Sequence, residues 1–445
     1  MEFARPLCFW RQVDPRGQRR AGDGRDQPYH EGCQGSDDPV DRGQDPAAVG
    51  RGGDLLPCDH DRADPPPTDH HRAKAGLIPK EQTIMAETVF EQVTGEQDLL
   101  DVGEFRAAAE PMMPDPYRNF VNNVGMERTL HDDIAAWQAM HLRPRALVDV
   151  SHIDTSATVL GQQIAMPIMT APFVGSTLVD PEGEVATARG AVAAGTITTL
   201  SMMGTRPPEA VGAVASGRYW QQIYFMRDRG VVKDVIERAV AAGASALCFT
   251  VDLPVMPAFP RPMRLAAQAL FQRWQEPEHV MYAVRDYADR PMGATFPDAA
   301  ATWADVEWMR TLSNLPLILK GVIRTDDAAR ARDHGASALI VSNHAGQGLR
   351  HSQPVAHALP AIVEAVGRDI EVYADSGIRT GADVLRALAL GARAVLVGRP
   401  VLWGLTTGGS QGVERVLKLL QAELAEIMAI TGASSIGAID GSVLA

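Results

Sequence analysis

Residues 332–344 read RDHGASALIVSNH, and residues 388–400 read LALGARAVLVGRP. Both stretches follow one phrase: an amphipathic helix ends, a glycine follows, a short unbroken apolar run begins, and polar residues close it. The phrase recurs as AVAAGTITTL at 191–200 and as VAAGASALCFTVD at 240–252. Gly195, Gly243, Gly335 and Gly391 stand where a helix C-terminus needs a residue that tolerates positive φ. Apolar runs without alternation read as strands buried on both faces, the mark of a parallel sheet. Eight such runs are present: 164–172, 196–202, 219–225, 244–252, 315–322, 336–344, 370–378 and 393–399. Eight βα units close into a (β/α)8 TIM barrel of the α/β class, and the rival doubly wound sheet lacks its G-x-G-x-x-G turn after the first strand. Between the fourth and fifth strands, residues 255–301 read as a long irregular insertion, placed where a barrel carries a lid.

The remainder divides sharply. Residues 1–84 hold 10 Pro, 10 Gly, 15 acidic and 12 basic residues but only nine Val, Ile or Leu, too little apolar surface to offset the entropy of ordering. Cys58, His60, His70 and His71 match no common zinc spacing, so no metal site is expected there. This segment reads as disordered, or as non-native sequence upstream of a true start at Met85. Residues 85–148 read as a helical segment packed on the barrel, and 149–445 as the barrel itself.

The formal charge of −13 and the lack of a basic stripe exclude a nucleic-acid binder. No run approaches the roughly 18 apolar residues of a membrane span. Three of the four cysteines fall before residue 60, unlike a secreted disulfide scaffold, and the N-terminus lacks a signal peptide's apolar core. A cytoplasmic location is expected.

Chemistry in such a barrel collects at the C-terminal strand ends. Read in order, these carry Pro172, Ser201, Gln222 with Tyr224, Thr250 with Asp252, Lys320, Ser342 with His344, Asp375 with Arg379, and Gly398 with Arg399. A strand-end Ser or Thr is usually only a cap, but a ring that is polar nearly throughout points to a site. Gly377, Gly381 and Gly398 beside Arg379 and Arg399 form a pattern suited to phosphate: backbone N–H groups approach closely and guanidinium forks pair with oxygen. His344 has the chemistry of a base near neutral pH, Asp252 that of its orienting partner, and Lys320 brings fixed positive charge to a developing anion.

At VSNHAGQGLR, residues 341–350, the chain resembles the FMN-dependent α-hydroxy-acid oxidase and dehydrogenase family, which includes glycolate oxidase, lactate oxidase and mandelate dehydrogenase. The resemblance runs from about Pro114 to Gly437. It includes RPRALVDVSHIDTSATVLG, MPIMTAP, DPEGEVATARGA, FTVDLP, LPLILKGV and ADSGIRTGADVLRALALGARAVLVGRP. It implies non-covalent FMN in a TIM barrel. Pro172, Phe173 and Val174 would lie along the flavin, and Ser201, Gln222 and Thr250 would hydrogen-bond its ring system. Lys320 would sit by N1 and the C2 oxygen, with Ser342 nearby, while Asp375, Gly377, Arg379, Gly398 and Arg399 would hold the ribityl and phosphate groups. His344 matches the catalytic base, Asp252 its carboxylate partner and Tyr224 the active-site tyrosine. A homotetramer is also implied.

The chain departs from the family where the substrate carboxylate is held. The family motif S-N-H-G-[AG]-R-Q-L-D carries a clamping arginine, and here that position is Gln347, with Ala345, Gly348 and Arg350 also divergent. A second family arginine falls at Phe259, with Arg261 and Arg264 displaced from it, and a substrate-binding tyrosine falls at Asn119. Gln offers only neutral donors and acceptors in place of a charged fork. The expectation is an FMN-dependent oxidoreductase acting on a CH–OH or CH–NH group of a non-standard small molecule, natural product or peptide. The alternatives are an ordinary L-2-hydroxy-acid enzyme whose carboxylate meets Arg261, Arg264 or Arg350, and a flavin-binding protein without catalysis.

Overall fold

Eight parallel strands form the centre: β1 (Ile168–Thr170), β2 (Thr198–Leu200), β3 (Tyr219–Tyr224), β4 (Ala246–Thr250), β5 (Leu317–Val322), β6 (Ala338–Val341), β7 (Glu371–Ala374) and β8 (Ala394–Val397). They come from a computed structural model that describes residues 99–445, Met292 excepted. The readings for residues 1–84, Cys58, His60, His70 and His71 among them, lie outside the described residues.

Each strand pairs with the next from β2 to β8, and β8 pairs with β1. The remaining seam, between β1 and β2, is joined by four hydrogen bonds, one of them from Thr199 N–H to Thr170 Oγ1 at 3.2 Å. Thr170 N–H donates to the Ile197 carbonyl at 3.1 Å, the Thr170 and Thr198 hydroxyls lie 2.8 Å apart, and the Thr196 hydroxyl donates to the Ile168 carbonyl at 2.6 Å. The result is the (β/α)8 barrel read from the sequence. The four glycines of the repeated phrase all adopt positive φ, between 79° and 97°.

The run at 164–172 proves to be two elements. Gln162–Ile164 pairs antiparallel with Ala157–Val159, and the chain bends over residues 165–167 before β1 begins. Pro167 has no N–H with which to continue a ladder. The hairpin serves the barrel as a floor. Val159 and Ile164 are buried against Ile197, Trp220, Cys248, Ile318, Ile340 and Tyr373, and Leu160 N–H donates to the Glu371 carboxylate at 3.2 Å.

Before the barrel come helices Val102–Ala109, Asp115–Val121 and Glu127–Gln138. The last is tied to the barrel rim by Trp137, whose indole N–H donates to the Ser376 carbonyl at 2.8 Å. The insertion after β4 is more regular than its composition suggested. It contains helices Arg261–Arg273 and Tyr282–Arg285. Met263, Ala266, Ala267 and Leu270 bury one face of the longer helix at three- and four-residue spacing, and Pro262 is tolerated in its first turn because N–H groups there have no intrahelical partner. The last α-helix is Arg399–Thr431, broken at Gly408 and Gly409, and two short 3-10 turns, Ile436–Ala438 and Gly441–Val443, follow it. Among the described residues no helix is long and apolar enough to cross a membrane.

Candidate active site

The loops after β4 and β6 bring two of the predicted residues into contact. His344 Nδ1 lies 3.0 Å from Asp252 Oδ1, and because a carboxylate only accepts, the imidazole donates from Nδ1 and leaves Nε2 as its basic atom. Burial works to raise the Asp252 carboxyl, but His344 and Lys320 outweigh it and hold the group below the ordinary carboxylate range. Its second oxygen, Oδ2, is buried with no hydrogen-bond partner among the described residues. Gly321, at the end of β5, supplies the room: its φ is +104°, and a Cβ there would lie 2.5 Å from Asp252 Cγ.

Lys320 is 3% exposed in the barrel mouth. Its ammonium lies 3.0 Å from Asp375 Oδ2 and donates to the Ser342 hydroxyl at 3.0 Å. Burial opposes its charge, but Asp375 and Asp252 prevail and raise it above the usual lysine value. The Tyr224 phenol, at the end of β3, is raised by burial and by Asp252, so it stays a neutral hydroxyl. Next to these runs a buried polar ladder. Ser201 Oγ lies 3.2 Å from Gln222 Oε1, and Gln222 Nε2 donates to Thr250 Oγ1 at 2.9 Å.

The phosphate-like pattern after β7 and β8 is built as a cation cluster. Burial, then the charge of Arg399, pulls Arg379 down to about 9, and burial pulls Arg399 down to about 10. Among the described residues their guanidinium groups meet backbone carbonyls rather than carboxylates, Arg379 donating to Ile378 at 2.7 Å and Arg399 to Val121 at 2.8 Å, and both remain charged at neutral pH. Arg399 begins the 33-residue final helix, whose N-cap Gly398 provides no side-chain cap. Gly377 packs directly on the backbone of Asp133. Two guanidinium groups short of counter-charge beside open helix amides form a donor set for a multiply charged anion. On the neighbouring strand end, after β1, Val174 of the Pro172-Phe173-Val174 loop is fixed by Tyr117, whose hydroxyl donates to its carbonyl at 2.6 Å.

The catalytic loop is strained and anchored from outside the barrel. His344 and Ala345 have φ of 54° and 51°, a left-handed geometry that costs an L-residue roughly 1–2 kcal/mol each. Asn343 Oδ1 accepts from Ala345 N–H at 2.9 Å, and Asn343 Nδ2 donates to both oxygens of Asp133 at 2.8 and 2.9 Å. Asp133 also accepts from Val355 N–H at 3.1 Å. Asn123, fully buried, donates from Nδ2 to the Ala345 carbonyl at 2.8 Å.

Burial, partly offset by the Asn343 and Val355 hydrogen bonds, pushes the Asp133 carboxyl from 3.8 up to about 6. A carboxyl that holds its proton more tightly folded than unfolded stabilises the fold fully below its unfolded value and loses that contribution as pH rises through about 6. Lowering pH from 7 to 5 is therefore expected to stabilise the wild type relative to Asp133→Asn, by at most ~3 kcal/mol at the acid limit. Urea midpoints of both proteins at the two pH values measure this; a difference that does not change with pH rejects it.

Of the positions read as substrate contacts, Gln347 lies in the catalytic loop with its Nε2 3.4 Å from Asn123 Oδ1. Phe259 is half-buried, and Asn119 is exposed on its helix. Arg261, Arg264 and Arg350 are all exposed. Asn123, Asp133 and Gly321 were not singled out by the sequence.

A family model described as FMN-dependent dehydrogenase matches residues 109–445. The chain belongs to the FMN-dependent α-hydroxy-acid oxidase and dehydrogenase family. This family member is 43% identical to an L-lactate oxidase of Nostoc sp. over 73% of its own length and 92% of the relative's. It is 36% identical to glycolate oxidase of Spinacia oleracea, over 78% and 96% of the two chains. A crystal structure of mandelate oxidase superposes with a TM-score of 0.69 at 36% identity, covering 77% and 97% of the chains. A structure of an arginine-to-leucine variant of mandelate oxidase with 2-hydroxy-phenylacetamide matches with a TM-score of 0.66. The family member is thus an oxidoreductase acting on CH–OH with FMN as cofactor. Its residues fit that group: the under-compensated Arg379 and Arg399 suit the phosphate, and the Ser201–Gln222–Thr250 ladder and charged Lys320 suit the polar edge of the flavin.

Proposed function

We propose that this flavoenzyme oxidises a carbinol, or the corresponding amine, whose neighbouring group is neutral rather than a carboxylate. The substrate is an alcohol, a hydroxy-amide, a hydroxy-ester or an amine within a larger natural product or modified peptide. One observation carries the reading: Gln347, where the family clamps a carboxylate with arginine, is hydrogen-bonded to another neutral amide, Asn123. The cations read as possible replacements for the clamp, Arg261, Arg264 and Arg350, are exposed residues. The complex of the mandelate oxidase variant, which lacks one arginine, with a hydroxy-amide supports the same direction.

In this reading His344 Nε2 takes a proton as two electrons leave the substrate carbon, and Asp252 stabilises the imidazolium through Nδ1. FMN, when bound, would supply the acceptor for the two electrons and the second hydrogen. Lys320 offers fixed positive charge to the polar edge of the ring, and the Tyr224 hydroxyl donates a hydrogen bond to the substrate oxygen. Pro172, Phe173, Val174, Ser201, Gln222, Thr250 and Ser342 line the ring, while Asp375, Gly377, Arg379, Gly398 and Arg399 take the ribityl and phosphate groups. The His344–Asp252 contact argues against a flavin-binding role without catalysis, which needs neither residue. The family resemblance also supports a homotetramer.

The names of the relatives, L-lactate oxidase and glycolate oxidase, favour a second reading, an ordinary 2-hydroxy-acid oxidase. The two are separated by anaerobic flavin bleaching with 2-hydroxy acids against their amides and esters. Loss of one charge-assisted hydrogen bond costs about 1.5–3 kcal/mol, so neutral substrates are expected to bleach roughly 10- to 100-fold faster. Rapid bleaching by lactate or glycolate overturns the proposal.

A further inference from the structure

Three amides in a row fix one another's direction. The Ala345 carbonyl only accepts, so the Asn123 side chain must turn its Nδ2 toward it, 2.8 Å away. That leaves Asn123 Oδ1 facing Gln347, and an oxygen must be met by a donor, so Gln347 turns its Nε2 to it at 3.4 Å. Gln347 Oε1 is then the end of the chain, and it has no partner among the described residues. Asn123 is fully buried and holds a φ of 53°, a conformation that disfavours most side chains other than Asn, Asp and Gly. A buried side chain held at that backbone geometry between the catalytic loop and Gln347 is placed to orient both.

We propose that Asn123 is a specificity-determining residue: it turns Gln347 so that a carbonyl oxygen faces the substrate, selecting a terminus that donates a hydrogen bond, a carboxamide over an ester. The inference rests on the neutral-substrate reading above and narrows it. A carboxamide gives Gln347 Oε1 an N–H. An ester or carboxylate sets oxygen against oxygen and leaves the Gln347 acceptor unmatched.

The test uses purified holoenzyme and three matched probes, 2-hydroxy-phenylacetamide, the methyl ester of the same acid, and the acid itself, with anaerobic flavin reduction and the spectral perturbation on binding as readouts. The wild type is expected to prefer amide to ester by about tenfold in both binding and reduction. Asn123→Gly, which accepts the positive φ, frees the Gln347 amide to rotate and should bring that preference within about threefold. Gln347→Met, similar in size and without the acceptor, should do the same, which keeps the test decisive if the first variant fails to retain FMN. Equal use of amide and ester by the wild type overturns the inference while leaving the neutral-substrate reading intact, provided the acid is poor. Unchanged preference in both variants also overturns it. Preference for the acid over both neutral probes defeats the broader reading instead.

Discussion

His344→Ala is expected to lower anaerobic flavin reduction by the true substrate by about 10²–10⁴-fold, the usual contribution of a positioned general base. The spectrum of the bound flavin should stay as it is. The side chain is held by Asp252 at 3.0 Å, whereas most groups fitted to FMN stand on other strands and loops: Arg379 and Arg399 after β7 and β8, Lys320 on β5, Ser201 just after β2, and Gln222 and Thr250 on β3 and β4; Ser342, on the segment that carries His344, meets it through the His344 backbone N–H at 3.2 Å. Removing the imidazole also removes the hydrogen-bonded partner that helps hold the Asp252 carboxyl low, so that group should take up a proton more readily. Stopped-flow reduction together with the FMN content of the purified variant measures both halves. Reduction at the wild-type rate would strip His344 of its role.

Gly321→Ala should be nearly as damaging, although the residue carries no chemistry. An added Cβ would lie 2.5 Å from Asp252 Cγ and 2.6 Å from its Cβ, closer than such atoms approach, and the φ of +104° strains any side chain. The backbone of β5 cannot retreat, because Lys320 next to it is fixed to Asp375 and Ser342. Asp252 therefore has to move, and an aspartate shifted by about 1 Å no longer orients the imidazole, at a cost on the order of 10²-fold in flavin reduction. Strain and overpacking together should remove about 2–4 kcal/mol of stability. Urea unfolding and reduction rates are measured on the same preparation. A variant with wild-type rate and stability would show that the loop after β4 yields freely.

The barrel was legible because its signal is local. A helix end, a glycine and an apolar run lie within about a dozen residues of each other, and each of the eight strands falls inside the run read for it. Two local misreadings have local causes. Pro167 divides the first run into hairpin and barrel strand, and in the insertion the prolines around Phe259 hid the helical spacing of Met263, Ala266 and Leu270. His344 and Asp252, 92 positions apart, were readable because both end apolar strands. Asn123 and Asp133 were not. Their partners in the catalytic loop lie 222 and 210 positions away, and Asn123 sits in a turn and Asp133 in a helix, where an Asn or Asp passes for surface. Only the folded chain brings the leading helices against the sixth strand's loop.

The hairpin also decides from which side the barrel is approached. With Val159 and Ile164 buried beneath the strands and Leu160 N–H bonded to the Glu371 carboxylate, the lower end is filled with side chains. The polar groups at the opposite strand ends, His344, Lys320 and Tyr224 among them, are left as the face on which a small molecule is met.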